Sequence, residues 1–123
     1  MGNYFDTHCH LDFLSNTDLA VVEARACGVN RILVPSVHPD NFSKVIKLAD
    51  RYEGVYYTLG IHPYFVAKSS ANALKILEET VLRCLSDKRF IGIGEVGLDF
   101  HIQDFDKEKM ELFFHSQLSL AEK

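Results

Sequence analysis

The sequence has no cysteine pair of the CxxC kind: its three cysteines, Cys9, Cys27 and Cys84, are odd in number and widely spaced. That argues against a disulfide framework or a structural zinc ribbon. Reduced thiols in a cytoplasmic protein are the expectation. A basic excess is missing as well. The formal net charge of −4 leaves no basic stripe of the sort a dedicated nucleic-acid-binding module uses to track phosphates. It does not exclude a nuclease whose bound metals handle the phosphate charge. No apolar run is long enough to cross a bilayer, so no membrane partner is expected. The start, Met1 to Asp6, lacks the basic and apolar stretches of a secretory signal. Low-complexity linkers and composition shifts are also lacking, so residues 1–123 read as one domain.

What is present is ordinary globular composition, 47% hydrophobic and 24% charged, arranged as an alternation. Tyr4 to Thr7 is the first strand candidate. Helical spacing follows at Leu19, Val22 and Ala26, with Thr17 as N-cap and Gly28 just past the end. Arg31 to Pro35 has the pattern of a buried strand. Asp40 can cap a second helix, whose apolar face is Phe42, Val45, Ile46 and Ala49. Gly54 ends it, and Val55 to Leu59 is a third strand rich in β-formers. A loop from Gly60 to about Ala71 leads to a third helix with Leu74, Leu77, Val81 and Leu85 on one face. Phe90 to Gly94 is the fourth strand, and Met110, Phe113, Phe114, Leu118 and Ala121 mark a fourth helix. Four βα units in strict alternation imply an α/β fold with parallel strands and helices packed outside.

Three segments at strand ends carry the candidate chemistry. In Asp6-Thr7-His8-Cys9-His10, side chains two apart along a strand point the same way. His8 and His10 would therefore converge on one divalent ion, Zn, Mn or Mg, while Cys9 points elsewhere. An isolated HxH also occurs by chance. In Ile93-Gly94-Glu95-Val96-Gly97, Glu95 ends an apolar strand, where a charge is costly unless paired or bound to a cation. A carboxylate so placed can bridge two ions about 3.5–4 Å apart, or it can pair with a nearby Lys or Arg. In Leu59-Gly60-Ile61-His62-Pro63, His62 can hydrogen-bond a substrate phosphate, orient a ligand, or only fix the loop. His38 reads as a loop histidine on the same face. His101 could line the mouth, and His115 reads as structural. Asp99 is either an orienting partner or a helix-start residue.

Taken together, Phe5-Asp6-Thr7-His8-Cys9-His10-Leu11-Asp12, Gly60-Ile61-His62-Pro63 and Gly94-Glu95-Val96-Gly97-Leu98-Asp99 resemble the TatD-type metal-dependent deoxyribonucleases, which belong to the amidohydrolase-like TIM barrels. The resemblance covers essentially the whole chain. It implies a hydrolase that cleaves DNA phosphodiester bonds with a metal-activated water and up to two divalent ions. It also implies His8 and His10 as metal ligands, Glu95 as the catalytic carboxylate bridging both ions, and His62 near the substrate phosphate. The family barrel has eight strands, and a closed (β/α)8 chain takes at least about 200 residues. Four βα units equal its N-terminal half. The family's later metal ligands, two histidines and an aspartate, together with a nearby arginine, have no counterpart in residues 1–123.

An uncovered barrel-facing side leaves apolar side chains wet. If about six stay exposed at roughly 1.5–3 kcal/mol each, the loss is on the order of 10 kcal/mol, comparable to a whole domain's stability. Self-association through the open half-barrel face, most simply as a two-fold dimer, is therefore expected; sedimentation of a well-folded monomer at micromolar concentration would contradict it. Two further readings stand beside the nuclease: amide or ester hydrolysis by a related barrel, and a catalytically inactive remnant that binds metal weakly or acts as an association module.

Overall fold

β-branched and aromatic residues alternate with short helical stripes, and a strand that returns parallel to its predecessor needs a crossover between them. The computed structural model, which describes residues 2–123, shows that arrangement. β1 (Tyr4–Asp6), β2 (Val29–Pro35), β3 (Val55–Leu59) and β4 (Phe90–Ile93) form one parallel sheet in the order β1-β2-β3-β4. The connections carry α1 (Thr17–Ala26), α2 (Pro39–Arg51), α3 (Pro63–Val66) and α4 (Asn72–Cys84), and α5 (Lys107–Ala121) follows β4. A single 3-10 turn, Leu11–Phe13, sits between β1 and α1. These are four βα units with parallel strands, as the alternation implies, and they correspond to the N-terminal half of the (β/α)8 barrel that the family resemblance implies.

The core lies between the sheet and the helices. Ile32 and Val34 of β2, with Val55, Tyr57 and Leu59 of β3, recur with the period of two that puts them on one face. They pack in one cluster with Phe42, Val45, Leu48 and Ala49 of α2, Leu77 and Val81 of α4, and Met110 and Phe113 of α5. The opposite sheet face is open. There Phe5 is 39% and Ile91 49% exposed. The Phe5 ring lies 5.8 Å from that of Tyr56, with the Arg31 guanidinium 5.5 Å from its centroid.

Several local expectations are corrected. Asn16, not Thr17, caps α1: its side-chain oxygen accepts from Leu19 N at 3.0 Å, while the Thr17 hydroxyl pairs with Tyr52. His38, not Asp40, caps α2, because its Nδ1 accepts from Asp40 N and Pro39 supplies the first helical residue. The face of α1 turned to the core is Ala20, Val21 and Ala24 rather than Leu19, Val22 and Ala26. Two alanines there allow close approach to the sheet and leave Leu19 and Val22 outside. Ile46 is only partly buried and Leu48 takes the core position on α2; on α4, Leu85 is exposed and Cys84 is buried. The loop after β3 contains α3. On α5, Leu118 and Ala121 face outward and the polar Gln117 occupies the buried stripe below Phe113.

Among the described residues, no helix is long and apolar enough to cross a membrane.

Candidate metal centre

The pairing of β1 with β2 runs past its last strand residue. Cys9 N donates to Leu33 O at 3.0 Å, so the His8-Cys9-His10 segment stays alongside β2. Backbone alternation then sends both imidazoles to one side, as their spacing implies. Their rings meet edge to face with centroids 5.1 Å apart. Cys9 packs against the hydrophobic core instead. Burial pushes its thiol pKa up, and the Asp6 and Asp12 carboxylates add to the effect, so it is a poor nucleophile.

Glu95 comes from the other edge of the sheet, just beyond β4. Gly94 N donates to Leu59 O at 3.0 Å and Glu95 N to Ser36 O at 2.9 Å, which straps this segment across the ends of β3 and β2. The strap depends on Gly60. A Cβ at that position would lie 2.6 Å from the Gly94 carbonyl carbon and 2.9 Å from Glu95 N, with only backbone to yield. Ser36, fully buried, completes the junction: its Oγ accepts from Gly60 N at 3.0 Å. We predict that Gly60→Ala pushes the Gly94–Glu95 peptide away, costs about 1–3 kcal/mol of stability, and weakens divalent-metal binding. Urea unfolding and a metal titration of the same variant check both effects.

The three side chains converge. Glu95 Oε2 lies 3.5 Å from His8 Nε2 and 3.3 Å from His10 Nε2. One ligand atom from each of His8, His10 and Glu95 falls within 4.8 Å of the others. Glu95 Oε2 is buried with no hydrogen-bond partner. An unpartnered, solvent-shielded carboxylate oxygen between two imidazole nitrogens is a donor set that suits a divalent cation.

His62 joins from the β3 end. Its Nε2 lies 3.6 Å from the other Glu95 oxygen, Oε1. Its backbone N–H donates to Val37 O at 2.8 Å, and its Nδ1 accepts from Tyr64 N at 3.0 Å, capping α3. With Nδ1 accepting, the neutral ring carries its hydrogen on Nε2 and offers it toward Glu95. His62 therefore both fixes its loop and faces the cluster.

The remaining candidates stay apart. His38 is occupied by its capping bond and lies against Phe65, with ring centroids 5.5 Å apart. His101 is exposed in a turn, where its N–H donates to Asp99 Oδ1 at 2.9 Å, so Asp99 shapes that turn. His115 is exposed on α5 and is no core residue.

Asp12 and Gln117 are among the contributors that the local sequence pattern does not reveal. Asp12 lies in the 3-10 turn with its side chain fully buried. Burial raises its carboxyl pKa above the ordinary value, partly offset by a backbone hydrogen bond and by the charges of His10 and Lys44. Gln117 is buried too: its Oε1 accepts from Ile61 N at 2.7 Å and its Nε2 donates to Ile61 O at 3.2 Å. It thereby ties α5 to the residue before His62. The signals for Asp12 were its place at the end of the Phe5–Asp12 motif and an acid inside the otherwise apolar Leu11–Phe13 triplet.

The model of the TatD-related DNase family matches residues 5–123. The chain belongs to the TatD-related DNase family. Among its relatives, the uncharacterized metal-dependent hydrolase YjjV of Escherichia coli (strain K12) is 32% identical over 123 residues, which is 98% of this chain and 47% of that protein. A protein named 3'-5' ssDNA/RNA exonuclease TatD, from Escherichia fergusonii, is 30% identical over 109 residues, covering 89% of this chain and 40% of its own length. The crystal structure of the E. coli YjjV TatD homologue superposes with a TM-score of 0.88 at 33% identity, over 97% of this chain and 46% of that one. This TatD-family chain thus spans about half the length of the relatives it matches, and its four βα units form half of their barrel.

Proposed function

We propose that the chain carries part of the metal centre of a hydrolase that cleaves nucleic-acid phosphodiester bonds, with His8, His10 and Glu95 as ligands. The observation that carries this reading is Glu95 Oε2, buried without a hydrogen-bond partner and facing both imidazole nitrogens. His8 and His10 would hold one divalent ion, Mg, Mn or Zn, the imidazoles favouring the transition metals. Glu95, with Oε2 facing His8 and His10 and Oε1 facing His62, would be shared with a second ion. Such ions, when bound, polarise a phosphoryl oxygen and lower the pKa of water. His62 presents an N–H donor beside them and is suited to orient a non-bridging phosphate oxygen. A cytoplasmic setting, with all three thiols reduced, accompanies this reading.

A relative named as a single-strand DNA and RNA exonuclease supports single-stranded nucleic acid as the substrate class. The test is hydrolysis of an end-labelled single-stranded DNA with added Mn2+ or Mg2+, compared with the same reaction in chelator. Metal-dependent release of nucleotides is expected. Equal rates with and without metal would defeat the proposal, as would cleavage of ester or amide substrates in place of DNA. The inactive-remnant alternative draws no support from four side chains gathered at one point. The open sheet face bearing Phe5 and Ile91 is the surface on which a second copy would associate, which sedimentation at micromolar concentration tests.

A further inference from the structure

His10 has two ring nitrogens, and only one faces Glu95. Nε2 lies 3.3 Å from Glu95 Oε2, whereas Nδ1 lies 3.5 Å from Asp12 Oδ1. His10 Nδ1 and Asp12 Oδ1 are both buried, and neither has another hydrogen-bond partner. Buried polar atoms in native proteins are nearly always paired. A carboxylate only accepts, and a neutral imidazole carries one N–H. With Asp12 ionised, the two atoms, 3.5 Å apart, can satisfy each other in a single way: Nδ1 holding the hydrogen and donating it to Asp12. Nε2 would then keep its lone pair toward Glu95.

Asp12 is itself held. Its Oδ2 accepts from Asn41 Nδ2 at 2.5 Å, and its backbone carbonyl accepts from the Lys44 ammonium. Both partners stand on α2, and Asn41 is fixed in turn because its Oδ1 accepts from Val37 N at 3.0 Å. Phe13 covers one face of the His10 ring, with centroids 4.8 Å apart and planes within 15°. Edge and face of the imidazole are thus fixed by groups that do not face the proposed metal.

We propose that Asp12 is the positioning residue of the centre, fixing His10 in the Nδ1–H tautomer so that Nε2 is free to ligate, and that Asn41 and Lys44 anchor it from α2. The inference rests on the metal-centre reading above. Ligating imidazoles generally donate their other N–H to such a partner.

An exchange of the Asp12–Asn41 pair separates positioning from structure. In Asp12→Asn, Asn41 still donates, so it draws the new amide oxygen and turns the amide NH2 toward His10 Nδ1. A donor there forces the ring hydrogen to Nε2. In the double variant Asp12→Asn/Asn41→Asp, the amide reverses and an acceptor faces Nδ1 again. The tautomer is read from long-range 1H–15N spectra of the metal-free chain, well above the ordinary imidazole pKa. Zn2+ affinity is read separately by competition with a chelating indicator. The wild-type chain is expected to show Nδ1–H at His10. Asp12→Asn should show Nε2–H and a Zn2+ affinity lower by roughly 10–100-fold. The double variant should recover the Nδ1–H tautomer and most of the affinity.

An Nε2–H tautomer in the wild-type chain overturns the proposal outright, as does a folded Asp12→Asn with tautomer and affinity unchanged. If Asp12→Asn fails to fold, the wild-type and double-variant spectra still decide. A wild-type chain that binds no Zn2+ defeats the metal-centre reading instead, and its tautomer tells the two failures apart.

Discussion

Glu95→Gln is expected to weaken Mn2+ or Zn2+ binding by more than about 100-fold, beyond the range produced by losing an outer partner of a ligand. The substitution keeps the shape and the backbone bond from residue 95 to Ser36 O, so the strap across the strand ends persists. It removes the only negative charge among His8, His10 and Glu95. The neutral amide also brings an NH2 that can sit where Oε2 stands, 3.3 Å from His10 Nε2, and a donor there competes with a cation for the same lone pair. Isothermal titration with Mn2+ is the direct check. His101→Gln, in an exposed turn away from the cluster, should leave the affinity unchanged. Equal affinities for Glu95→Gln and the wild-type chain would remove Glu95 from the centre.

Gln117→Leu is expected to cost about 2–6 kcal/mol of stability, a large share of the roughly 5–15 kcal/mol of a typical domain. The side chain sits in the buried stripe of α5, where a leucine would satisfy hydropathy. Its amide, however, serves both backbone groups of Ile61, accepting at 2.7 Å and donating at 3.2 Å. Leucine leaves a buried N–H and a buried carbonyl unpaired, each costing on the order of 1–3 kcal/mol. Urea unfolding should show a lower midpoint at an unchanged slope. Because Ile61 precedes His62, the variant should also loosen the His62 loop, visible as faster amide exchange at residues 61 and 62. A stability change within about 0.5 kcal/mol would mean that Ile61 finds other partners.

The elements were legible where hydrophobic period and β-branched content agree. β3 and α2 fall close to their expected places, and the two ends of the centre, His8 with His10 and Glu95, stand out because polar residues close apolar strands. Caps were less legible: Asn16 and Thr17 are both competent N-cap residues, and only the reach to Leu19 N decides between them. The inward face of α1 was misread because two alanines carry little hydropathy yet suit close packing. Asp12, Ser36, Asn41 and Gln117 escaped for a common reason. Each polar side chain is satisfied by a partner remote in sequence, as when Gln117 meets Ile61 or Asn41 meets Asp12. Local pattern assigns such residues to the surface, whereas tertiary pairing is what lets Asp12, Ser36 and Gln117 be buried and Asn41 partly so.

The central claim is that His8, His10 and Glu95 hold a divalent cation, and it is tested most directly by anomalous diffraction from crystals of the chain soaked in Mn2+ or Zn2+. A peak within coordination distance of His8 Nε2, His10 Nε2 and Glu95 Oε2 is the predicted result. A peak only at His38, His101 or His115, or none beside Glu95 at a concentration where the metal binds in solution, would contradict it.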